Sequence, residues 1–533
     1  MSTLQEKEVM LNNNDNIADE TMQVWKLNVA RQFFALRHIG DTEAAIKKYK
    51  GAEKTVVIPY MVGSRKIVEV DDEAFMDNQD VEKVVFSAGV RRILTDAFNG
   101  CKNLKEVVFN SGLESIESRS FQGCSNLNNI ILPETLINID SYAFSETSIA
   151  KVTLPTSIKK VGSGAFIGCQ NLKEVVFSSG DVFIASDIFC GRPFWESNVE
   201  KITMPDDLRI MTDIDNGLKL FGTAYYADES NWHNGVLYIG NHLIDSKSES
   251  TDLVVREGTV SIDTAIRGKN LEKVVLPEGL KHIGKYAFGY CDTIKEVNIP
   301  DSVSSIGFNA FHRDLYENDE SKWENGILYI GKNLYKAKDN VSEVVVKEGT
   351  LSICQYAFDR NNNLKKITLP VGLQYIDEEA FSLCGNLSKV ILPDGLVRIQ
   401  KSAFDYCGME VLILPSTVVQ IDHFAFQGCE NLKELTIPGS VKALGQNLFD
   451  GCTSLETVKI EEGVRELSYG MFYNCSNLRD IYIPSSVEKI DDKALNRGGW
   501  SGIYPFLEVT IHAPAGSYAE QYAKENEIKF VVE

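Results

Sequence analysis

The phrase AFQGCENLKELTIP, from Ala425 to Pro438, returns along the chain as AFNGCKNLKEVVF from Ala97, AFIGCQNLKEVVF from Ala165 and AFGYCDTIKEVNIP from Ala287. The phenylalanine of each copy sets the phase: Phe75, Phe98, Phe121, Phe144, Phe166 and Phe189, then Phe288 and Phe311, then Phe358, Phe381, Phe404, Phe426, Phe449 and Phe472. The step is 22 or 23 residues within each run. A unit of that length cannot bury its apolar edge alone, so neighbours must stack and share one core. The period therefore predicts one elongated body where 533 residues would otherwise suggest roughly three or four globular domains.

Within one coil Leu104, Val107 and Phe109 follow the spacing L-x-x-L-x-L, and the next copy has Leu127, Ile130 and Leu132. Strand alternation sends these inward and leaves Glu106 and Val108 outside. Eleven of the fourteen prolines directly follow this strand, from Pro59 and Pro133 to Pro438 and Pro484, where the missing N–H stops the ladder. A second short strand follows, with Val418 and Ile421 or Val441 and Leu444 inward, and the Ala-Phe turn closes the coil. Stacked coils thus form parallel sheets: a mostly-β, α/β-type solenoid of about 16–17 coils.

Nine of the eleven cysteines sit three residues after the anchoring phenylalanine: Cys101, Cys124, Cys169, Cys291, Cys384, Cys407, Cys429, Cys452 and Cys475. Other copies place Asn78, Thr147 or Asn361 there, so the position reads as a buried turn ladder in which a small side chain meets backbone polar groups. Neighbouring rungs hold these thiols roughly 4.8 Å apart with parallel Cβ vectors, too far for an unstrained disulfide. They are expected to be free and structural, and no spacing suits zinc.

In chain order, residues 1–17 read as a disordered N-terminus and 18–48 as a capping segment. In that cap Met22, Trp25, Val29, Phe33 and Leu36 fall at helical spacing. The solenoid spans 49–500, and 501–533 forms a C-terminal cap with a short helix around Ser517–Ala523 and a closing strand Ile528–Val532. Two β-hairpin inserts, near 228–250 and 319–340, break the period: DESNWHNGVLYIGNHLI from Asp228 and DESKWENGILYIGKNLY from Asp319. Asn-Gly before alternating apolar residues signals a tight hairpin turn. Trp232 and Trp323 lie 91 residues apart, as a block duplication would leave them. These tryptophans either staple the hairpin to the solenoid or, with Tyr238 and Tyr329, anchor a partner.

Outward strand positions form columns. One reads Lys83, Glu106, Asn129, Lys151, Glu174, Lys201, placing opposite charges on neighbouring rungs, which holds register. The adjacent column reads Val85, Val108, Ile131, Thr153, Val176, Thr203, and later Thr368, Ile391, Ile413 and Thr436. A β-branched stripe suits any strand, and it also offers an extended recognition face. The candidate interaction residues are therefore Trp232, Tyr238, Trp323, Tyr329, Val108, Ile131, Val176, Ile391 and Ile413.

A net charge of −21 argues against nucleic acid as partner. No apolar run is long enough to span a bilayer, and the first 30 residues lack a basic start followed by an apolar stretch, so the sequence as written implies the cytoplasm. The seven histidines form no H-E-x-x-H, zinc or nucleophile pattern. Asp213-Ile214-Asp215-Asn216-Gly217 resembles the start of a calcium loop, with its glycine one residue early and Ala224 in place of the bidentate glutamate. No residue is assigned a catalytic, cofactor-binding or metal-binding role, and the chain is read as non-enzymatic with no cofactor.

The motif pair AF.GC.NLKE..IP and V..I, as in AFQGCENLKELTIPGSVKAL from Ala425, resembles the BspA-like leucine-rich repeats over about residues 45–533. The Trp232 and Trp323 inserts and the ending GSYAEQYAKENEIKF are similar to elements that accompany those repeats in gut and oral bacteria. The resemblance implies a right-handed leucine-rich-repeat superhelix with a non-enzymatic, protein-binding role. Members of that family often act as cell-surface adhesins, and the expected partner of this chain is a protein ligand such as a host matrix or cell-surface protein, bound by a monomer. The chain departs from the usual surface member in showing neither a leader nor a sorting motif, which leaves an intracellular scaffold as the alternative.

Overall fold

The computed structural model describes residues 24–25, 27–39, 42–178, 181–184, 198–205, 209–211, 223–247, 249–262, 265–266, 270–491, 493–495 and 507–533. Met22, Phe189 and the run from Asp213 to Gly217 lie outside them. The chain divides into two compact units, Met1–Asp245 and Ser246–Glu533, each built as a mostly-β solenoid.

The coil before Phe381 illustrates how the repeat folds. Leu364, Ile367 and Leu369 are buried, whereas Lys366 and Thr368 between them are exposed. The strand Lys366–Thr368 pairs in parallel with Glu343–Val345 on one side and Lys389–Ile391 on the other. Pro370 ends it, having no N–H to give. The chain turns through Gly372 at φ +93°, a region in which a side chain would be strained. The short strand Tyr375–Ile376 then pairs with Ser352–Ile353 and Arg398–Ile399. Ala380 and Phe381, both fully buried, close the coil.

Phenylalanine holds the coils in line. In the first unit Phe75, Phe98, Phe121, Phe144 and Phe166 stack with successive centroid distances of 4.6, 5.1, 5.4 and 5.6 Å. In the second, Phe358, Phe381, Phe404, Phe426, Phe449 and Phe472 stack at 5.0, 4.9, 5.6, 5.5 and 5.8 Å. These spacings sit close to the strand separation, so ring stacking and backbone pairing share one repeat.

The cysteine column behaves as the sequence implies. Thiols of the column donate to the carbonyl of the phenylalanine one coil earlier, Cys101 to Phe75 at 3.1 Å, Cys124 to Phe98 at 3.2 Å, Cys384 to Phe358 at 3.1 Å, Cys407 to Phe381 at 3.1 Å and Cys475 to Phe449 at 3.1 Å, whereas Cys291 donates to Ile266, which stands in place of the phenylalanine, at 3.1 Å. The ten described cysteines are buried. Where asparagine replaces cysteine it serves the turn's own backbone: Asn78 Oδ1 accepts from the N–H groups of Asp80 and Val81, both at 2.9 Å.

Three features differ from expectation. The described residues belong to a solenoid of about 19 turns, because some rungs carry no anchoring phenylalanine. Asn333–Ala337, part of an insert, is such a rung and stacks in parallel on Ser352–Ile353. Near the N-terminus the helix is confined to Leu27–Phe33; the chain then becomes the strand Phe34–Ile39, so Leu36 is not helical. That strand pairs antiparallel with Glu43–Tyr49, which runs parallel to Arg65–Val70. An edge of unpaired N–H and C=O groups is satisfied by a strand and not by a helix. Finally, the second insert is a three-stranded meander, Trp323–Glu324, Ile327–Ile330 and Asn333–Ala337, preceded by the short helix Arg313–Tyr316.

At the C-terminal end Thr510–Ala513 extends the outer sheet, and Ser517 caps the helix Tyr518–Glu525 by accepting from the Glu520 N–H. The helix buries Ala519, Tyr522 and Ala523, and Lys529–Val532 pairs in parallel with Thr510–Ala513. Among the described residues no helix is long and apolar enough to cross a membrane.

Candidate interaction site

The inserts take their shape from two residue types. Asn234-Gly235 and Asn325-Gly326 all adopt positive φ, 52°, 76°, 52° and 81°, the conformation of a two-residue hairpin turn that follows strand twist. Asp228 and Asp319 each accept from the N–H two residues on, starting a single 3-10 turn that delivers the tryptophan.

The tryptophans then point inward. Trp232 is only 9% exposed; its indole N–H donates to the Tyr226 carbonyl at 2.9 Å, and it meets the Tyr226 ring edge-on at 5.0 Å. Tyr238 is buried as well, and its carbonyl accepts from the Tyr225 hydroxyl at 2.9 Å. Trp323 is half-buried; its N–H donates to the Glu317 carbonyl at 3.0 Å, with the Lys338 ammonium 5.0 Å above the ring. Tyr329, also half-buried, accepts from the Lys347 N–H at 3.1 Å, and burial raises its hydroxyl pKa. The two tryptophans bond to the turn just before their own strand, and Tyr329 reaches out of the insert to the Lys347 backbone, in the geometry of a staple.

The outward β-branched column is the opposite case. In the first unit Val57, Val85 and Val108 stand in register and are half-exposed, as is Val176, while Ile131 is 79% exposed. In the second unit Val345, Thr368 and Ile391 stand in register on three neighbouring strands, with Val345 80% and Ile391 76% exposed. Ile413, 68% exposed, opens the next sheet, in register with Thr436, Lys459, Tyr482 and His512. Large aliphatic side chains left this open, on successive rungs at Ile391 and Ile413 and across Thr368 at Val345, form an exposed apolar surface of the kind that marks interaction sites. It is displayed on paired strands, so little ordering accompanies binding. Sequence reading found the column; it could not separate half-exposed Val108 from open Ile391, because that depends on neighbouring rungs.

Reactive chemistry is little favoured elsewhere. Burial pushes the Cys169 thiol up to about 11 and those of Cys384 and Cys429 to about 12, away from the thiolate a nucleophile needs. His242 Nε2 lies 2.9 Å from the Pro205 carbonyl, and His512 lies between Asp480 and Glu533 at 2.8 and 3.2 Å. Among the described residues no group of three or more His, Cys, Asp or Glu could hold a metal ion. On the turn side of the second unit, Asp359, Glu379, Asp405 and Asp450 all have pKa values raised by burial, with mutual repulsion adding to the shift at Glu379 and Asp405.

Comparison with known proteins agrees with this architecture. A profile of the BspA type leucine rich repeat region matches residues 68–193, 187–316, 263–388, 328–408 and 374–498. No curated protein sequence matches. Similar solved structures include a leucine-rich repeat protein from Bacteroides ovatus, 18% identical over 94% of this chain and 98% of that one, with a TM-score of 0.27. A T. pallidum leucine rich repeat protein is 29% identical over 32% of this chain and 79% of its own, with a TM-score of 0.29. A leucine rich cell surface protein from Faecalibacterium prausnitzii is 19% identical over 92% and 96%, with a TM-score of 0.26.

Proposed function

The chain belongs to the BspA-type leucine-rich repeat family, and from that premise we propose that it is a non-enzymatic, monomeric protein-binding module acting at the cell surface as an adhesin. Its partner is a host matrix or cell-surface protein. The observation that carries the reading is the aliphatic row Val345, Ile391 and Ile413, 80%, 76% and 68% exposed on a face held rigid by parallel pairing. Ile131 is a further contact of the same type on the first unit, with half-exposed Val108 on the preceding rung and Val176 two rungs on. Trp232, Tyr238, Trp323 and Tyr329 support the inserts rather than the contact.

Two measurements test this. Protease applied to intact cells of the native organism, with an antibody following the chain, is expected to cleave it while a cytosolic control survives. Protection until lysis overturns the surface role and makes the intracellular scaffold the working description. A Val345→Ser/Ile391→Ser/Ile413→Ser variant is expected to keep its melting temperature and lose most binding to immobilised host matrix; undiminished binding overturns the assignment of the face.

A further inference from the structure

Charge columns on these sheets follow a rule that the register explains. Rungs sit about 4.8 Å apart, so opposite charges in neighbouring rungs attract and like charges repel. In the first unit Lys83 pairs with Glu106 at 2.8 Å, and Glu174 takes Lys151 at 3.1 Å and Lys201 at 2.8 Å. One position earlier, Glu82 takes both Lys54 and Lys105 at 2.6 Å. The second unit keeps the rule where Lys295 meets Glu272 at 2.6 Å.

The second unit also holds an exception. Lys366 and Lys389 stand in direct register on neighbouring strands, with Lys365 beside them, and all three are exposed. Among the described residues none of the three forms an ion pair. The next rung of the column holds no acid either: it is Val411, 61% exposed. Glu343 and Glu434 bound the run on either side. The like-charge pair costs the isolated sheet stability; its two rungs expose Thr368 and Ile391, and Val345 and Ile413 lie on the rungs that flank them.

We propose that this patch is the recognition site for an acidic, aliphatic stretch of polypeptide whose carboxylates meet Lys365, Lys366 and Lys389 while its apolar side chains cover Ile391, Ile413 and Val411. The proposal rests on the binding role assigned to the strand face and adds the chemistry of the partner. A sulfated glycan or nucleic acid would satisfy the lysines but leave the aliphatic row in water, and a chain of net charge −21 repels long polyanions. Carboxylates alternating with aliphatic side chains satisfy both parts of the patch, the charges mainly fixing specificity and register.

The test uses the full chain as bait for a phage-displayed library of random short peptides, followed by fluorescence anisotropy with one synthetic consensus peptide. The selected peptides are expected to be rich in Asp, Glu, Val, Leu and Ile. Lys366→Glu/Lys389→Glu should weaken the consensus peptide about tenfold or more, added salt should weaken it too, and Ile391→Ser/Ile413→Ser should do so independently. Peptides without acidic excess, or binding unchanged by charge reversal, overturn the proposed partner. If binding then still depends on Ile391 and Ile413, the strand-face reading survives alone; if neither variant affects binding, both fall. Unchanged circular dichroism melts show that the variants remain folded.

Discussion

At the scale of single residues the repeat is enforced by backbone geometry as much as by side-chain volume. Leu383, Tyr406 and Gly428 occupy equivalent turn positions at φ 58°, 51° and 67°, and each N–H donates to the next coil, to Asp405, Gln427 and Asp450 at 2.9, 2.6 and 2.7 Å. The inter-coil bond holds the left-handed turn, so a non-glycine residue is tolerated with strain. At Gly428 there is also no room, because a Cβ would come within 2.5 Å of the Tyr406 ring. Gly428→Ala should therefore cost about 1–2 kcal/mol, and Gly279→Ala, at φ +93° with nothing within 4 Å, less; urea midpoints at constant m-value compare them. Thiol reagents should label the buried cysteines only after denaturation, which a colorimetric thiol assay with and without urea would show. The phenylalanine and cysteine columns were legible because they repeat. The left-handed conformations at Leu383 and Tyr406 were not, since nothing in those residue types requests them and the neighbouring coil imposes them.

Among elements, the inserts and the acidic turn column carry separate consequences. Trp323→Phe keeps an aromatic ring but removes the N–H that reaches the Glu317 carbonyl; it should cost about 1 kcal/mol and loosen the insert, seen as faster amide exchange in residues 323–337. In the turn column, Asp405 has its pKa raised mainly by burial, with Asp359 adding repulsion. The folded chain thus binds that proton more tightly than the unfolded chain does. Stability from this group increases as pH falls through the raised value and is lost as pH rises again. Asp405→Asn should raise the melting temperature at neutral pH and remove part of the gain the native chain shows on mild acidification, both read from thermal melts. The paired acids of the first unit act in the other direction. Arg119 lowers the pKa of Asp96, so that contribution is present at neutral pH and disappears as pH falls through the lowered value. Sequence reading located both inserts from Asn-Gly and tryptophan, but it gave the N-terminal segment one long helix. A 3.6-residue apolar spacing was present there, and the open sheet edge at Arg65–Val70 outweighed it.

For the molecule as a whole, stability is a sum of coils and of contacts between adjacent coils. Buried apolar residues form one connected core from Ala30 to Ile244 in the first unit and another from Ile327 to Ile528 in the second. Phe404→Ala, which empties a fully buried site stacked between Phe381 and Phe426, should cost about 3–5 kcal/mol. The loss should appear in coils adjoining residue 404 and leave residues 75–166 unchanged, as hydrogen-exchange mass spectrometry resolves by peptide. A chain of near-equivalent coils also faces an ambiguity of its own: sliding one run past its neighbour by a whole period would recreate almost every stacking and backbone contact. The meander Trp323–Ala337 has no counterpart in an ordinary coil, so it acts as a landmark in an otherwise self-similar text. An insert that breaks the repeat thereby fixes where counting begins.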